Sequence, residues 1–189
     1  MPILSASAGL AFNPSALEQS DVKWAVGVLK AGEGSLKKGT LLAIDPSDHS
    51  KYVKLDPDDT GGKQYCKGIL LEDKDATSED KNAKIGYFGT FNYSYTMVMT
   101  KETFSGDGTT TTFYLSHAPL QSTVTVKVDG AYKTENVDYT VNYETGGITF
   151  DEAPPSGTNN IEVTYGYAPP NAVIEEAMDR SIWIVDIIG

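Results

Sequence analysis

Short stretches of apolar residues, several of them alternating with polar ones, follow one another along most of the chain, and this pattern predicts β-strands. In the first block they cover residues 24–31, 39–45, 51–55, 65–73 and 83–100, with turn-rich loops between them. Gly86 and Gly89 interrupt the last stretch and predict a bulge or bend there. The pattern therefore predicts a mainly β fold.

The pattern changes at residue 104, where the strands become shorter. Val124, Val126 and Val128 alternate with polar residues, and Asp129-Gly130 follows as a hairpin signal. Residues 103–168 carry two lysines against eight acidic residues, so this block also differs in charge. We expect it to form a small β-sandwich.

The last block follows Pro169-Pro170. Residues 172–180 place apolar side chains on one side of a helix, and the apolar residues 181–188 predict a final strand. Because such a strand needs a partner, we expect it to return to the sheet of the first block. Residues 21–102 with 169–189 would then form one domain, with residues 103–168 inserted. The predicted shared core consists of Trp24, Val26, Leu41, Leu42, Ile69, Phe91, Ile174 and Trp183.

Residues 1–20 show no regular period, and two interpretations stay open. The segment is either a frayed terminus or an arm that becomes ordered on a partner. The second interpretation rests on five large apolar side chains, which a purely solvated tail does not need. The anchors of such an arm would be Ile3, Leu4, Leu10, Phe12 and Leu17.

Composition excludes several classes of function. The formal net charge is -11 and Arg180 is the only arginine, which argues against nucleic-acid binding. No apolar run approaches the ~20 residues that cross a membrane, and the first residues lack the features of a secretory signal. The single cysteine, Cys66, excludes an internal disulfide and a cysteine-based zinc site.

No catalytic constellation emerges from the chemically reactive residues. His49 and His117 lie in separate turns, and the spacing of the acidic loops does not match a calcium-binding loop. No nucleophile, base and orienting group can be assembled from these residues. We therefore expect neither an enzyme nor a bound metal or other cofactor.

Several motifs occur in a characteristic order outside the middle block. A strand-turn-strand ends at Leu55, Gly68-Ile69-Leu70 forms the next strand, and Gly89-Thr90-Phe91 lies in another. A short helix then leads into a terminal strand rich in Ile and Val. Over roughly 21–92 and 171–187, this order resembles the head decoration protein family of tailed bacteriophages, typified by the lambda-type protein.

The resemblance implies a small β-rich domain, β-tulip-like with one short helix, that forms a homotrimer on the outer capsid surface. Such a protein is made in the host cytoplasm and stabilises the expanded head by holding neighbouring major capsid proteins together. Residues 103–168 depart from the compact form of that family and resemble a small Ig-like β-sandwich found on many phage structural proteins. The alternative is a phage surface module whose sandwich binds a host glycan or another host-surface ligand.

Overall fold

The computed structural model describes residues 18–185 of the 189-residue chain. Its composition of 53% strand and 7% helix confirms the mainly β fold. The described residues divide into two compact units, 18–99 with 168–185 and 100–167. The arm residues proposed from the sequence, Ile3, Leu4, Leu10, Phe12 and Leu17, lie outside the described residues.

The first unit contains most of the long strands and the helix. Its elements are β1 (Glu18–Leu29), β2 (Gly34–Leu36), β3 (Leu41–Asp45), β4 (Asp48–Lys54), β5 (Gly68–Leu70), β6 (Lys74–Ala76), β7 (Lys81–Asn92), the start of β8 (Val98–Gly106), α1 (Asn171–Asp179) and β15 (Ile182–Val185). The strands β2 and β6 form a separate two-stranded sheet.

The main sheet of the first unit closes on itself. Strand β1 pairs with β4 on one edge and with β7 on the other, so the order β1-β4-β3-β5-β7 forms a ring. Strand β15 pairs in parallel with the last four residues of β7. The apolar strand at the C-terminal end of the chain therefore belongs to the sheet of the first block.

The core of the first unit includes five of the eight residues predicted for it. Leu41, Leu42, Ile69 and Phe91 are fully buried, and Ile174 is 4% exposed. The packing is close enough to require glycine at position 68, where a Cβ would lie 2.5 Å from Cγ2 of Ile85.

The predicted strand 83–100 is two strands. Strand β7 ends at Asn92, whose side chain accepts a hydrogen bond from the backbone N of Ser94 at 3.0 Å. This cap starts a short 3₁₀ helix, Tyr93–Tyr95, before β8 begins. A local hydrogen bond that an Asn side chain accepts from a nearby backbone N–H competes with strand pairing, which explains the break.

A buried carboxylate lies at the end of β3. Asp45 is 2% exposed, and its Oδ2 lies 2.5 Å from Nζ of Lys30. Its Oδ1 accepts hydrogen bonds from the backbone N and the Oγ of Ser47. The hydrogen bond from Lys30 and, to a smaller extent, those from Ser47 hold the pKa of Asp45 well below its usual range. Asp45 therefore remains charged at neutral pH.

A hydrogen bond joins helix α1 to a part of the first unit that is distant in the sequence. Its buried side chains include Val173, Ile174 and Ala177. The carboxylate of Glu176 accepts a hydrogen bond from the backbone N of Cys66 at 2.7 Å and pairs with Arg180 through its other oxygen. The Cys66 side chain is fully buried, and this burial raises its pKa to about 12.

The second unit consists of two β-sheets. The first contains β8, β10 (Thr125–Val128), β11 (Ala131–Lys133) and β14 (Gly157–Tyr167), in the order β11-β10-β14-β8. The other contains β9 (Thr112–Tyr114), β12 (Tyr139–Asn142) and β13 (Gly147–Phe150), in the order β12-β13-β9. Phe104 contacts Phe113 with ring centroids 5.6 Å apart, so the two sheets pack on each other.

The distribution of these strands differs from that of an immunoglobulin constant domain. There the first, second, fourth and fifth strands share one sheet. Here the first, third, fourth and seventh strands of the unit share a sheet, and the second, fifth and sixth form the other. The second unit is thus a packed pair of β-sheets, and the Ig-like form expected for residues 103–168 is not confirmed.

A buried tyrosine organises the interior of the second unit. Tyr165 is fully buried, and its hydroxyl donates a hydrogen bond to the carboxylate of Glu102. The same carboxylate accepts hydrogen bonds from the backbone N and Oγ of Ser116. Burial is the main cause that raises the pKa of Tyr165, and the hydrogen bond to Glu102 raises it further.

Candidate protein-binding surface

Several large apolar side chains of the first unit remain exposed. Trp24 is 48% exposed, Val26 64%, Tyr87 45% and Trp183 40%. They lie on three neighbouring strands, because β1 and β15 both pair with β7. A concentration of exposed aromatic side chains on one part of a folded protein is typical of a surface that contacts another protein.

The first group, the Trp24 cluster, consists of Trp24, Val26 and Lys84. Trp24 lies opposite Gly86 on β7, and Val26 lies opposite Lys84. The ammonium of Lys84 lies 4.3 Å from the centroid of the Trp24 ring, a cation–π distance. This cluster thus combines an exposed indole with a positive charge.

The second group, the Trp183 cluster, consists of Trp183, Phe88 and Lys23. Trp183 contacts Phe88 edge to face, with ring centroids 5.7 Å apart. The ammonium of Lys23 lies 4.9 Å from the Phe88 ring centroid. Each cluster thus combines an exposed tryptophan with a lysine that lies over an aromatic ring, Trp24 in the first cluster and Phe88 in the second.

A bulge in β7 lies between the two clusters. Lys23 is opposite Phe88 and the next residue, Trp24, is opposite Gly86, so Tyr87 is the extra residue on β7. Gly86 cannot carry a side chain without movement, since a Cβ would lie 2.8 Å from the buried Phe91 ring. The predicted bulge near Gly86 is confirmed, and it brings Tyr87 to the surface.

The prediction that Trp24, Val26 and Trp183 are core residues is wrong. Their partners across the strands are Gly86, Lys84 and Thr90, none of which offers a large apolar surface. A tryptophan opposite a glycine or a threonine is covered only if another layer packs over it. The exposed fractions of the three side chains show that this covering is incomplete in the described part of the chain.

Sequence reasoning missed Tyr87, Phe88, Lys23 and Lys84 as members of this surface. The signal was present in the run Gly86-Tyr87-Phe88-Gly89, where two aromatic residues stand between two glycines. In a regular strand adjacent residues point to opposite faces, so one of the two aromatic residues would face outward, and the bulge at Tyr87 leaves both at least partly exposed.

Two chemically reactive side chains of the second unit make contacts within the fold. Asp107 accepts hydrogen bonds from the backbone N atoms of Thr109 and Thr110, and the Thr110 hydroxyl and these backbone bonds hold its pKa below the usual range. His117 stacks on Tyr167 with ring centroids 3.9 Å apart. Within residues 18–185, no three His, Cys, Asp or Glu side chains are grouped so as to hold a metal ion.

Comparisons with known proteins add no assignment. Neither the models of known protein families nor the curated proteins contain a match to this chain. In the described part of the chain, no helix has the length and apolar character required to cross a bilayer.

Proposed function

We propose that this protein is a phage capsid decoration protein, which binds the outer surface of an expanded head and stabilises it without catalysis. The observation that carries the proposal is the pair of exposed tryptophan clusters in the first unit. A protein that joins neighbouring capsid subunits needs such contact surfaces. The resemblance of residues 21–92 and 171–187 to the decoration family supports the same role.

The energetics explain why several copies must act together. About half of each tryptophan is still exposed, which is on the order of 100 Å² per ring. Covering both rings would contribute about 5 kcal/mol at 25 cal/mol per Å². This is close to the lower estimate of ~4 kcal/mol for the cost of association. A homotrimer that contacts the capsid at several points would gain the remaining affinity through effective concentration.

The charge of the chain supports an external position. With a net charge of -11, the protein would be repelled by DNA packaged inside a head, whereas an outer surface imposes no such repulsion. The lysines beside Trp24 and Phe88 place positive charge at the clusters themselves. We expect the complementary capsid surface to offer apolar side chains with neighbouring carboxylates.

The experiment adds purified protein to expanded heads of the encoding phage that lack a decoration protein. We expect saturable binding and a higher melting temperature of the heads, because a ligand that binds only the expanded lattice stabilises it. Trp24→Ser and Trp183→Ser should each lower occupancy. Tyr132→Ser is the matched control, since Tyr132 is 70% exposed but belongs to the second unit.

Failure of the wild-type protein to bind the heads would overturn the proposal. If both tryptophan variants bind the heads as well as the wild-type protein does, the two clusters are not part of the contact with the capsid. Light scattering on the same samples measures the mass of the free protein and tests the homotrimer.

A further inference from the structure

The second unit contains an open cavity with a volume of about 420 Å³. Pockets that bind small ligands have volumes of about 300 Å³ or more. Two loops form the walls, residues 133–138 after β11 and residues 150–155 after β13, and Val128 at the end of β10 also lines the space. Nothing in the proposed capsid contact uses this cavity.

Hydrogen bonds hold the first wall in place. Asp138 accepts one from the backbone N of Thr134 through Oδ2 at 2.7 Å, and its own backbone N donates to the carbonyl of Thr134 at 2.8 Å. The backbone N of Asp151 then donates to the carbonyl of Asp138 at 3.0 Å, which joins the two walls.

Hydrogen bonds also hold the second wall, residues 150–155, in place. The carbonyl of Pro155 accepts a hydrogen bond from Nδ2 of Asn160 at 2.9 Å, and the carbonyl of Pro154 accepts one from the backbone N of Gly108 at 3.1 Å. Proline also restricts the backbone of this wall. The cavity is therefore formed before any ligand arrives, which lowers the ordering cost of binding.

The lining combines an apolar side with an acidic one. Val137, which is 66% exposed, and the two prolines supply apolar surface. Asp138, Asp151 and Glu152 supply three carboxyl groups against the single amine of Lys133. Among residues 18–185, no ion pair involves Asp151 or Glu152.

We propose that this cavity binds a cationic side chain, lysine or arginine, of a partner protein. The aliphatic stem of that side chain lies along Val137 and the prolines, while its charged end meets the carboxylates of Asp151 and Glu152. The surrounding charge acts in the same direction, because residues 103–168 contain eight acidic residues and two lysines. The second unit is thereby assigned a ligand of defined chemistry.

The test follows the backbone amides of the full chain by two-dimensional NMR during titration with the peptide acetyl-Ala-Lys-Ala-amide. The matched probe is acetyl-Ala-norleucine-Ala-amide, which keeps the stem and lacks the charge, and the sugar N-acetylglucosamine is a third probe. The expected result is weak binding of the lysine peptide alone, with shifts confined to residues 133–138 and 150–155.

The variant Asp151→Asn with Glu152→Gln should raise the dissociation constant about fivefold or more. Glu144→Gln, an exposed acidic residue outside the cavity lining, should leave it unchanged. The amide spectrum itself shows whether each variant is folded. Equal shifts with both peptides, shifts with the sugar alone, no shifts at these residues, or unchanged binding by the double variant would each overturn the proposal.

Discussion

The contact between Glu176 and the backbone N of Cys66 allows a direct test of how the end of the chain is held in the first unit. These residues are separated by 110 positions, and the hydrogen bond between them is 2.7 Å long. Replacing Glu176 with alanine leaves the N–H of Cys66 without its carboxylate acceptor. It also removes the ion pair with Arg180.

The magnitude follows from the two interactions. A hydrogen bond to a charged group contributes about 1.5–3 kcal/mol, and an exposed helical ion pair adds at most about 0.5 kcal/mol. We therefore expect Glu176→Ala to lower the free energy of unfolding of the first unit by about 2 kcal/mol. With a urea m-value of about 1.5 kcal/mol per molar, the midpoint falls by roughly 1.3 M.

Tryptophan fluorescence is the appropriate measurement. The chain contains two tryptophans, Trp24 and Trp183, and both lie in the first unit, so urea unfolding followed by their emission reports on that unit alone. Glu175→Ala is the control, because Glu175 is exposed on the same helix and the substitution changes helix propensity equally. Glu176→Gln retains a hydrogen-bond acceptor without the charge, so its urea midpoint should lie between those of Glu176→Ala and Glu175→Ala.

The reasoning is refuted if Glu176→Ala and Glu175→Ala unfold at the same urea concentration. A loss that Glu176→Gln reproduces in full would show that charge, and not the acceptor, carries the stability.

Three further predictions address other parts of the molecule. Gly106→Ala should destabilise the second unit by about 2 kcal/mol in calorimetry, because the new Cβ would lie 2.3 Å from the carbonyl oxygen of Pro155; an unchanged transition would contradict this packing. Burial raises the pKa of Tyr139 to about 12, and that of Cys66 to about 12, so both groups are held neutral in the folded state. The stability of the first unit, which contains Cys66, should be intact below about pH 9 and fall by up to about 1.4 kcal/mol per pH unit up to pH 12, whereas the stability of the second unit, which contains Tyr139, should begin to fall only above about pH 10. Equal urea midpoints of each unit at pH 8 and pH 11 would refute this. The arm predicted over residues 1–20 overlaps β1, which begins at Glu18, so the test deletes residues 1–17. This deletion should abolish attachment to heads while the truncated chain keeps the fluorescence-detected unfolding midpoint; normal attachment by the truncated chain would reject the arm hypothesis.

Local sequence signals predicted the local structures well. Alternation of Val124, Val126 and Val128 corresponds to β10, and Asp129-Gly130 forms the turn before β11 with φ values of 51° and 79°. These features depend on a few neighbouring residues, so the sequence contains the information that specifies them. The same holds for helix α1, whose apolar positions recur at helical spacing and are buried.

The candidate surface could not be predicted in the same way. Trp24, Val26 and Trp183 are as apolar as any core residue, and the sequence predicted that they were buried. Whether an apolar side chain is covered depends on its partner across the strand and on the next layer, and both are set by pairings between distant segments.

The sequence by itself therefore determined that the chain is mainly β, where most of its strands and its described α-helix lie, and that its net charge is -11. Only the tertiary structure decided that the sheet of the first unit closes on itself, that two tryptophans remain outside its core, and that two loops of the second unit enclose an acidic cavity. The physical reason is that strand formation follows from local side-chain alternation. Ring closure, exposure and cavities arise from contacts between residues far apart in the chain.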